Sequence, residues 1–308
     1  MNSAICTLFE GHYHIGLAAF VNSLHACGYR GGVWAGYRGP LPPWAHGAVE
    51  GNGVHTFEAG AGLLVHFVPV ETKRHLTNFK PDFLINARER FFSGAENVFY
   101  FDPDLVLRSE WPFFEQWAGC GVALCEDVNS PMPATHPVRM MWRRFYAPHG
   151  FTSARDLDIY VNGGFVGVAR EDWEFVEMWW RLQDLMAPEV GGLADWGLKD
   201  RGFIFHKTDQ DALNIAAMFC PRPVSIVGKD GMDLAPGGFL MSHALGSSKP
   251  WRKNFIREAL CGFPPTMADK AFWNHTSTPI PVFSPREISR KRLALRIAAA
   301  IGRLISRS

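Results

Sequence analysis

Asp102 and Asp104 stand one residue apart at the end of an apolar run, NVFYFDPDLVL from Asn97 to Leu107, with Pro103 between them. Carboxylates at that spacing can share one hard cation, the first directly and the second directly or through a water, while the proline stiffens the turn. Mg²⁺ and Mn²⁺ accept such oxygen ligands and leave coordination positions open to phosphate oxygens. In an open α/β sheet such a site belongs at the carboxyl end of a strand, where this run places it. An Asx turn closing a strand would use the same residues, so the pair alone does not decide.

Three other segments bear on the choice. In MSHALGSSKPW, Met241 to Trp251, His243 offers an imidazole nitrogen, which suits Mn²⁺ and is a poor ligand for Mg²⁺. Gly246, Ser247 and Ser248 can close a tight phosphate-holding loop, and Lys249 brings a point charge to a diphosphate. In YVNGGFVGV, Tyr160 to Val168, Asn162 precedes Gly163 and Gly164. That run reads as a strand, where glycine is unfavourable unless a backbone or ligand must come close. TDQDALN, Thr208 to Asn214, opens a helix with Asp209, Gln210 and Asp211 at the positive end of its dipole, where they serve a site or only cap the helix. Glu126 and Asp127, just past an apolar run from Val122 to Cys125, are further acidic candidates.

The D-x-D-x-V pattern also resembles the nucleophile motif of haloacid-dehalogenase-like phosphatases, in which Asp102 would be phosphorylated and Asp104 would act as acid and base. That motif sits on the first strand of its family, whereas about a hundred residues precede Asp102 here.

Taken in order, FYFDPDLVL, YVNGGFVGV, TDQDALN and HALGSSKPW resemble the metal-dependent GT-A glycosyltransferases. The likeness is greatest to glycosyltransferase family 8, which includes the glycogenins and bacterial lipopolysaccharide galactosyl- and glucosyltransferases. LFEGHYHIGLAAFVNSL resembles that family's first strand, nucleotide-contacting turn and following helix, so the likeness runs from residue 4 to about residue 253. It implies a GT-A fold, a single mostly parallel sheet flanked by helices, over residues 1–275. It implies Mn²⁺, or Mg²⁺ in its place, held by Asp102, Asp104 and His243 against a nucleoside diphosphate. In the same likeness Leu8, Glu10, His12 and Tyr13 meet uridine, with Tyr13 stacked on the base. Lys249 and the backbone around Gly246 hold the diphosphate, Lys80 touches the donor, and Asn162, Asp209 and Gln210 face the donor sugar. The activity implied is transfer of a hexose from a UDP-sugar to a glycan or lipid-linked acceptor, with retention of configuration. Gly163 and Gly164 after Asn162, and Glu10 with Gly11 where the family often has Asp, depart from the usual pattern. A catalytically silent nucleotide-sugar binder on the same fold is the non-enzymatic alternative.

Positioning these residues calls for alternating short strands and helices. Ala4 to Phe9 and Gly32 to Tyr37 read as strands joined by a helix from His14 to Cys27, which Gly28 stops. Gly62 to Val70 and Asn97 to Phe101 are strand-like, with a helix from Pro81 to Phe92 between them. Val122 to Cys125 and Tyr160 to Val168 add strands, and Glu171 to Met186 and Asp209 to Phe219 add helices, an alternation that predicts a mostly parallel sheet. Gly39 to Gly53 and Asn129 to Asp158 read as loops that could choose the donor sugar and the acceptor, and Trp111, Trp142 and Tyr146 as an acceptor platform or core.

The 308 residues are 47% hydrophobic and 20% charged, which excludes a disordered chain. The net charge of +1 argues against a protein that coats nucleic acid. It hides an asymmetry: Arg286 to Ser308 carry seven basic residues and one acid, +6, and leave −5 for the rest. The first residues lack a basic, then apolar, secretory pattern, so a cytoplasmic protein is expected. Residues 276–308 read as a linker and a basic amphipathic helix. On a helical wheel Arg292, Arg296, Arg303 and Arg307 fall in one stripe and Leu293, Ile297, Ile301, Leu304 and Ile305 on another face. Such a helix is expected to lie on an anionic membrane surface or to pack on protein.

Overall fold

The computed structural model describes residues 2–197 and 203–305. β1 (Ser3–Glu10) is buried on both faces, which is why SAICTLFE lacks polar alternation. α1 (His14–Ala26) crosses to β2 (Gly31–Arg38), parallel to β1 as the sequence predicts. Then come β3 (Val49–Gly51), β4 (Val54–Gly60), β5 (Leu63–Pro69), α2 (Lys80–Phe91) and β6 (Asn97–Phe101). They are followed by β7 (Leu105–Leu107), α3 (Trp111–Ala118), β8 (Val122–Cys125), α4 (Pro137–Tyr146) and β9 (Phe165–Ala169). α5 (Glu174–Met186), α6 (Thr208–Phe219), β10 (Val224–Val227) and β11 (Met241–His243) lead to the helices α7 (Phe255–Leu260), α8 (Met267–Asn274) and α9 (Pro285–Ile305).

Among the described residues one nine-stranded sheet has the order β10-β8-β9-β6-β1-β2-β5-β4-β3. β9 and β4 run against the others, so the sheet is mostly parallel, as expected. Alternate β1 and β6 side chains feed two cores. Cys6, Leu8, Val98 and Tyr100 pack with residues of α2, α5 and α6, and Ile5, Phe9, Phe99 and Phe101 with residues of α1 and α3. The chain leaves β1 toward β2 on one side and places β6 on the other, which opens a crevice at the carboxyl ends of β1 and β6. A short antiparallel ribbon of β7 and β11 stands beside that crevice and pairs His243 with Leu105.

Several expectations are corrected. The stretch from Tyr160 to Gly164 is not strand: β9 begins at Phe165, and Gly163 and Gly164 form a turn ahead of it. Asn129 to Asp158 contains α4, whose Trp142 and Tyr146 are fully buried, and Trp111 is buried in the opposite core. These aromatics are core, not an acceptor platform. The stretch Gly39 to Gly53 contains β3, which with β4 extends the sheet edge. α9 packs on α7 and α8 through Ile288, Leu295 and Ala298, so the buried stripe differs from the apolar face read from the wheel. Leu293, Ile297 and Leu304 of that face are exposed, and Ile301 is half-buried. Arg307 and the side chain of Ile305 lie outside the described residues. Among the described residues no helix is long and apolar enough to cross a membrane.

Candidate active site

The crevice deepens into a cavity of about 640 Å³. Its walls include Leu8 and Glu10 from the end of β1, Tyr13 from the turn after it, Lys80 from α2 and Asp102 and Asp104 after β6. Asn162, Asp209, Gln210, His243, Gly246 and Lys249 complete the lining. The twelve are scattered through the sequence and brought together by the strand ends. His12 is the exception among the residues that the glycosyltransferase likeness places at the site. It stacks on Tyr13 with ring centroids 4.9 Å apart and accepts a hydrogen bond from Trp251 Nε1 at 3.0 Å, so it braces Tyr13 from outside the cavity lining.

Asp102, Asp104 and His243 offer ligand atoms that all lie within 4.8 Å of one another. His243 Nε2 is 3.3 Å from Asp104 Oδ1 and 3.9 Å from Asp102 Oδ2. The other oxygen of each carboxylate is already engaged. Asp102 Oδ1 accepts from the Tyr100 hydroxyl at 2.9 Å and lies 3.2 Å from Lys80 Nζ, while Asp104 Oδ2 accepts from Lys249 Nζ at 2.5 Å. Two carboxylates, each held through its other oxygen, and one imidazole fit a divalent cation. Burial alone would raise the Asp104 carboxyl, but His243 and the Lys249 ammonium outweigh it and hold that group well below the usual carboxylate range.

Glycine is required where these groups crowd the backbone. A Cβ on Gly164 would stand 2.5 Å from His243 Cε1, and one on Gly163 would stand 3.0 Å from Asp209 Oδ2. The turn also supplies two carbonyls to the site: Gly164 O accepts from Asp102 N at 2.8 Å, and Gly163 O from Lys80 Nζ at 2.8 Å. Close approach, the reason anticipated for a glycine pair, thus holds in a turn and not in a strand.

Lys80 is nearly fully buried and bridges the halves of the site, with Asp209 Oδ2 at 2.8 Å and Asp102 Oδ1 at 3.2 Å. Burial would lower its pKa, yet these two carboxylates raise it and keep the ammonium charged. Asp209 is pushed up to about 6 by burial, against the pull of Lys80. Gln210 Oε1 accepts from Gly163 N at 3.0 Å, which fixes the carboxamide. Asp209 Oδ1 and Gln210 Nε2 are buried without a hydrogen-bond partner. Such orphans at a cavity wall are places for a polar ligand. Asn162 donates to Asp127 Oδ2 at 2.6 Å and accepts from Gly164 N at 2.8 Å. Asp127 therefore joins the lining, whereas its neighbour Glu126 does not line the cavity and pairs through its backbone with Val161 and Val227. Tyr100, His75, Thr77, Trp196 and Lys207 were missed in the sequence. Tyr100 alone had a local signal, two residues before Asp102 on a buried strand.

The ribbon carrying His243 is clipped by Asp233. Its carboxylate accepts from Arg108 Nη1 at 2.7 and 2.8 Å and from the Ser242 hydroxyl, residues next to β7 and within β11. Asp233→Ala is expected to weaken divalent-cation affinity by roughly 10–100-fold without removing a ligand. Calorimetric titration with Mn²⁺ checks this, and unchanged affinity would refute the clip.

The nine-stranded, mostly parallel sheet flanked by helices is a GT-A fold. Two solved structures share it. One is the apo structure of the bifunctional glycosyltransferase WbbM, with 12% identity, a TM-score of 0.50 and 94% of this chain covered; this chain spans 51% of that one, about half its length. The other is the galactosyltransferase LgtC in complex with donor and acceptor sugar analogues, with 13% identity and a TM-score of 0.51 over 94% of this chain and 99% of that one. No protein-family model matches the sequence, and no curated protein matches it significantly.

Proposed function

We propose that this chain is a glycosyltransferase that uses a divalent cation, best Mn²⁺, to transfer a hexose from a UDP-sugar to a glycan or lipid-linked acceptor. The observation that carries the reading is the convergence of Asp102, Asp104 and His243 beside Lys249 in a cavity whose lining also presents the unpartnered Asp209 Oδ1 and Gln210 Nε2. A cation held by the three ligands supplies Lewis-acid stabilisation of charge on the diphosphate. Lys249 adds a positive charge 2.5 Å from Asp104, at the edge where the diphosphate belongs. Tyr13 and Glu10 hold the base, with Glu10 oriented by Arg38 at 2.8 Å. Asp209 and Gln210 receive donor-sugar hydroxyls on Oδ1 and Nε2.

In the transfer the anomeric carbon–phosphate oxygen bond breaks and its electron pair leaves with the diphosphate. The acceptor hydroxyl oxygen forms the new bond, and its proton passes to the departing phosphate. That front-face course retains configuration. Gln210 has its Oε1 tied to Gly163 N and positions the sugar without forming a bond to it. Calorimetry with several nucleotide sugars, with and without Mn²⁺, followed by product analysis, tests the reading. Cation-independent binding, or binding without any transfer or hydrolysis, would overturn it, the latter in favour of a silent binder. The phosphatase motif belongs on a first strand, and five strands, β1 to β5, precede the one that Asp102 follows.

The reading extends to a membrane. On α9 Leu293, Ile297 and Leu304 are 57%, 42% and 87% exposed, opposite the stripe packed on α7 and α8. Arg286, Arg290, Arg296 and Arg303 are exposed on the same helix. An apolar line among arginines suits an anionic bilayer on which a lipid-linked acceptor is found. Leu293→Glu with Ile297→Glu is expected to weaken binding to phosphatidylglycerol vesicles by roughly 100-fold or more while sparing nucleotide-sugar hydrolysis. Undiminished vesicle sedimentation would remove the membrane from the proposal. Deleting the whole helix is a poorer test, because Ile288, Leu295 and Ala298 are part of a core.

A further inference from the structure

Trp196 lines the same cavity and is 56% exposed. A lone exposed tryptophan would need no explanation. This one is carried by a segment fixed in place. His75 N donates to Leu193 O at 2.8 Å, and Asn78 Nδ2 donates to Leu193 O at 3.0 Å and to Asp195 O at 2.8 Å. The Thr208 hydroxyl, bonded to Asn78 Oδ1 at 2.7 Å, lies 3.1 Å from Trp196 O. Leu193 itself is buried in the core beside Phe205 and Leu213. The backbone is thus moored to the segments that carry Lys80 and Asp209, two residues from one and one from the other, while the indole is left in solvent.

The position of the indole narrows its ligand. The base and diphosphate are assigned above to the turn after β1 and to Gly246 and Lys249, and among the described residues the segment around Trp196 is hydrogen-bonded to neither. It is held by the elements of the sugar-facing pair. The donor sugar's hydroxyls are matched by polar groups, Asp209, Gln210 and Asn162, all nearly buried or half-buried. A ligand that arrives from solvent meets the exposed aromatic face instead. Aromatic faces carry negative potential and attract the polarised C–H groups on one side of a pyranose ring.

Resting on the glycosyltransferase reading, we infer that Trp196 is the stacking platform for the acceptor, and that the acceptor presents a pyranose ring at its reacting end. The cavity then takes two sugars, the donor's held by hydrogen bonds and the acceptor's by stacking. A protein side chain or a bare lipid phosphate as acceptor would leave the indole without a partner.

The test is saturation-transfer NMR on the full chain with UDP and Mn²⁺, using methyl glycosides of glucose, galactose and mannose as probes. Transfer to ring C–H protons is expected for at least one glycoside. It should survive Trp180→Ala, which removes an exposed tryptophan on α5 outside the site, and persist in Trp196→Tyr. In Trp196→Ala the glycoside affinity should fall about tenfold, with the melting temperature confirming a folded variant. Undiminished transfer in Trp196→Ala overturns the platform. Absence of transfer from the wild-type chain to any glycoside overturns the pyranose acceptor. Calorimetry of UDP with Mn²⁺ on the wild-type chain separates the two levels: binding there with no glycoside signal sinks only this inference, whereas no UDP binding sinks the glycosyltransferase reading beneath it.

Discussion

Asp102→Asn will lower kcat/KM for sugar transfer by on the order of 10²–10³ and leave the fold standing, whereas Asp104→Ala will lose transfer and stability together. The two acids share a motif but differ in what holds them. Asp102 is part-exposed, and its Oδ1 receives Tyr100 and Lys80 while its Oδ2 turns to His243. An amide keeps the shape, and Lys80 keeps Asp209 as its counter-charge. Asp104 is buried, and its Oδ2 is the carboxylate partner of an equally buried Lys249. Truncation to alanine strands that ammonium, a defect that costs about 3–5 kcal/mol when one partner of a buried pair is removed. Saturating Mn²⁺ should raise the wild-type melting temperature, because a ligand at about 100 times its Kd contributes ~2.7 kcal/mol. Both variants should lose that rise, and Asp104→Ala should also melt lower without metal. A full Mn²⁺-dependent rise in Asp102→Asn would show that the pair holds no cation.

What could be read in advance follows from how locally each feature is determined. β1 and β6 are buried on both faces, so their apolar runs and the acids that end them stand out against any background. Their adjacency, which makes Leu8 and Asp102 neighbours in one crevice, is a property of strand order and leaves no trace in either segment. YVNGGFVGV misled because its apolar residues continue into β9, while the glycine pair ahead of it serves a turn packed on His243 and Asp209. α4 was hidden by flanking prolines and by Arg139, a charged residue that shares the buried helix face with Trp142 and Tyr146 and bonds Met132 O and Ile159 O. Trp196 carries no spacing signal. Its place rests on Asn78 and Thr208 meeting across more than a hundred residues of chain.

Lys80→Met will disable the site through Asp209 and will show it as a changed pH dependence of stability. The ammonium is enclosed by Asp209 Oδ2, Asp102 Oδ1 and Gly163 O, and lies 5.1 Å from the centre of the Tyr100 ring. A methionine of similar volume fills the space but leaves two carboxylates without their shared cation. Asp209 is raised to about 6 even with Lys80 beside it, so its folded-state pKa must climb further when Lys80 is gone. A carboxyl whose pKa is raised by folding binds its proton more tightly in the native than in the unfolded chain. Stability from that group is therefore present below the unfolded value, near 3.8, and is lost as pH rises through the folded value. In the wild-type protein this loss ends near 6; in Lys80→Met it continues above that. The variant's deficit should accordingly be small at about pH 5 and grow to about 3–5 kcal/mol by about pH 8, measured by denaturant unfolding without metal. Transfer should fall by on the order of 10²–10³ at neutral pH, since a protonated Asp209 no longer accepts a sugar hydroxyl on an ionised oxygen. Stability curves that run parallel from acid to alkaline pH would show that Lys80 does not hold Asp209 in its charged form, and the electrostatic bridge between the cation ligands and the sugar-facing pair would fall with it.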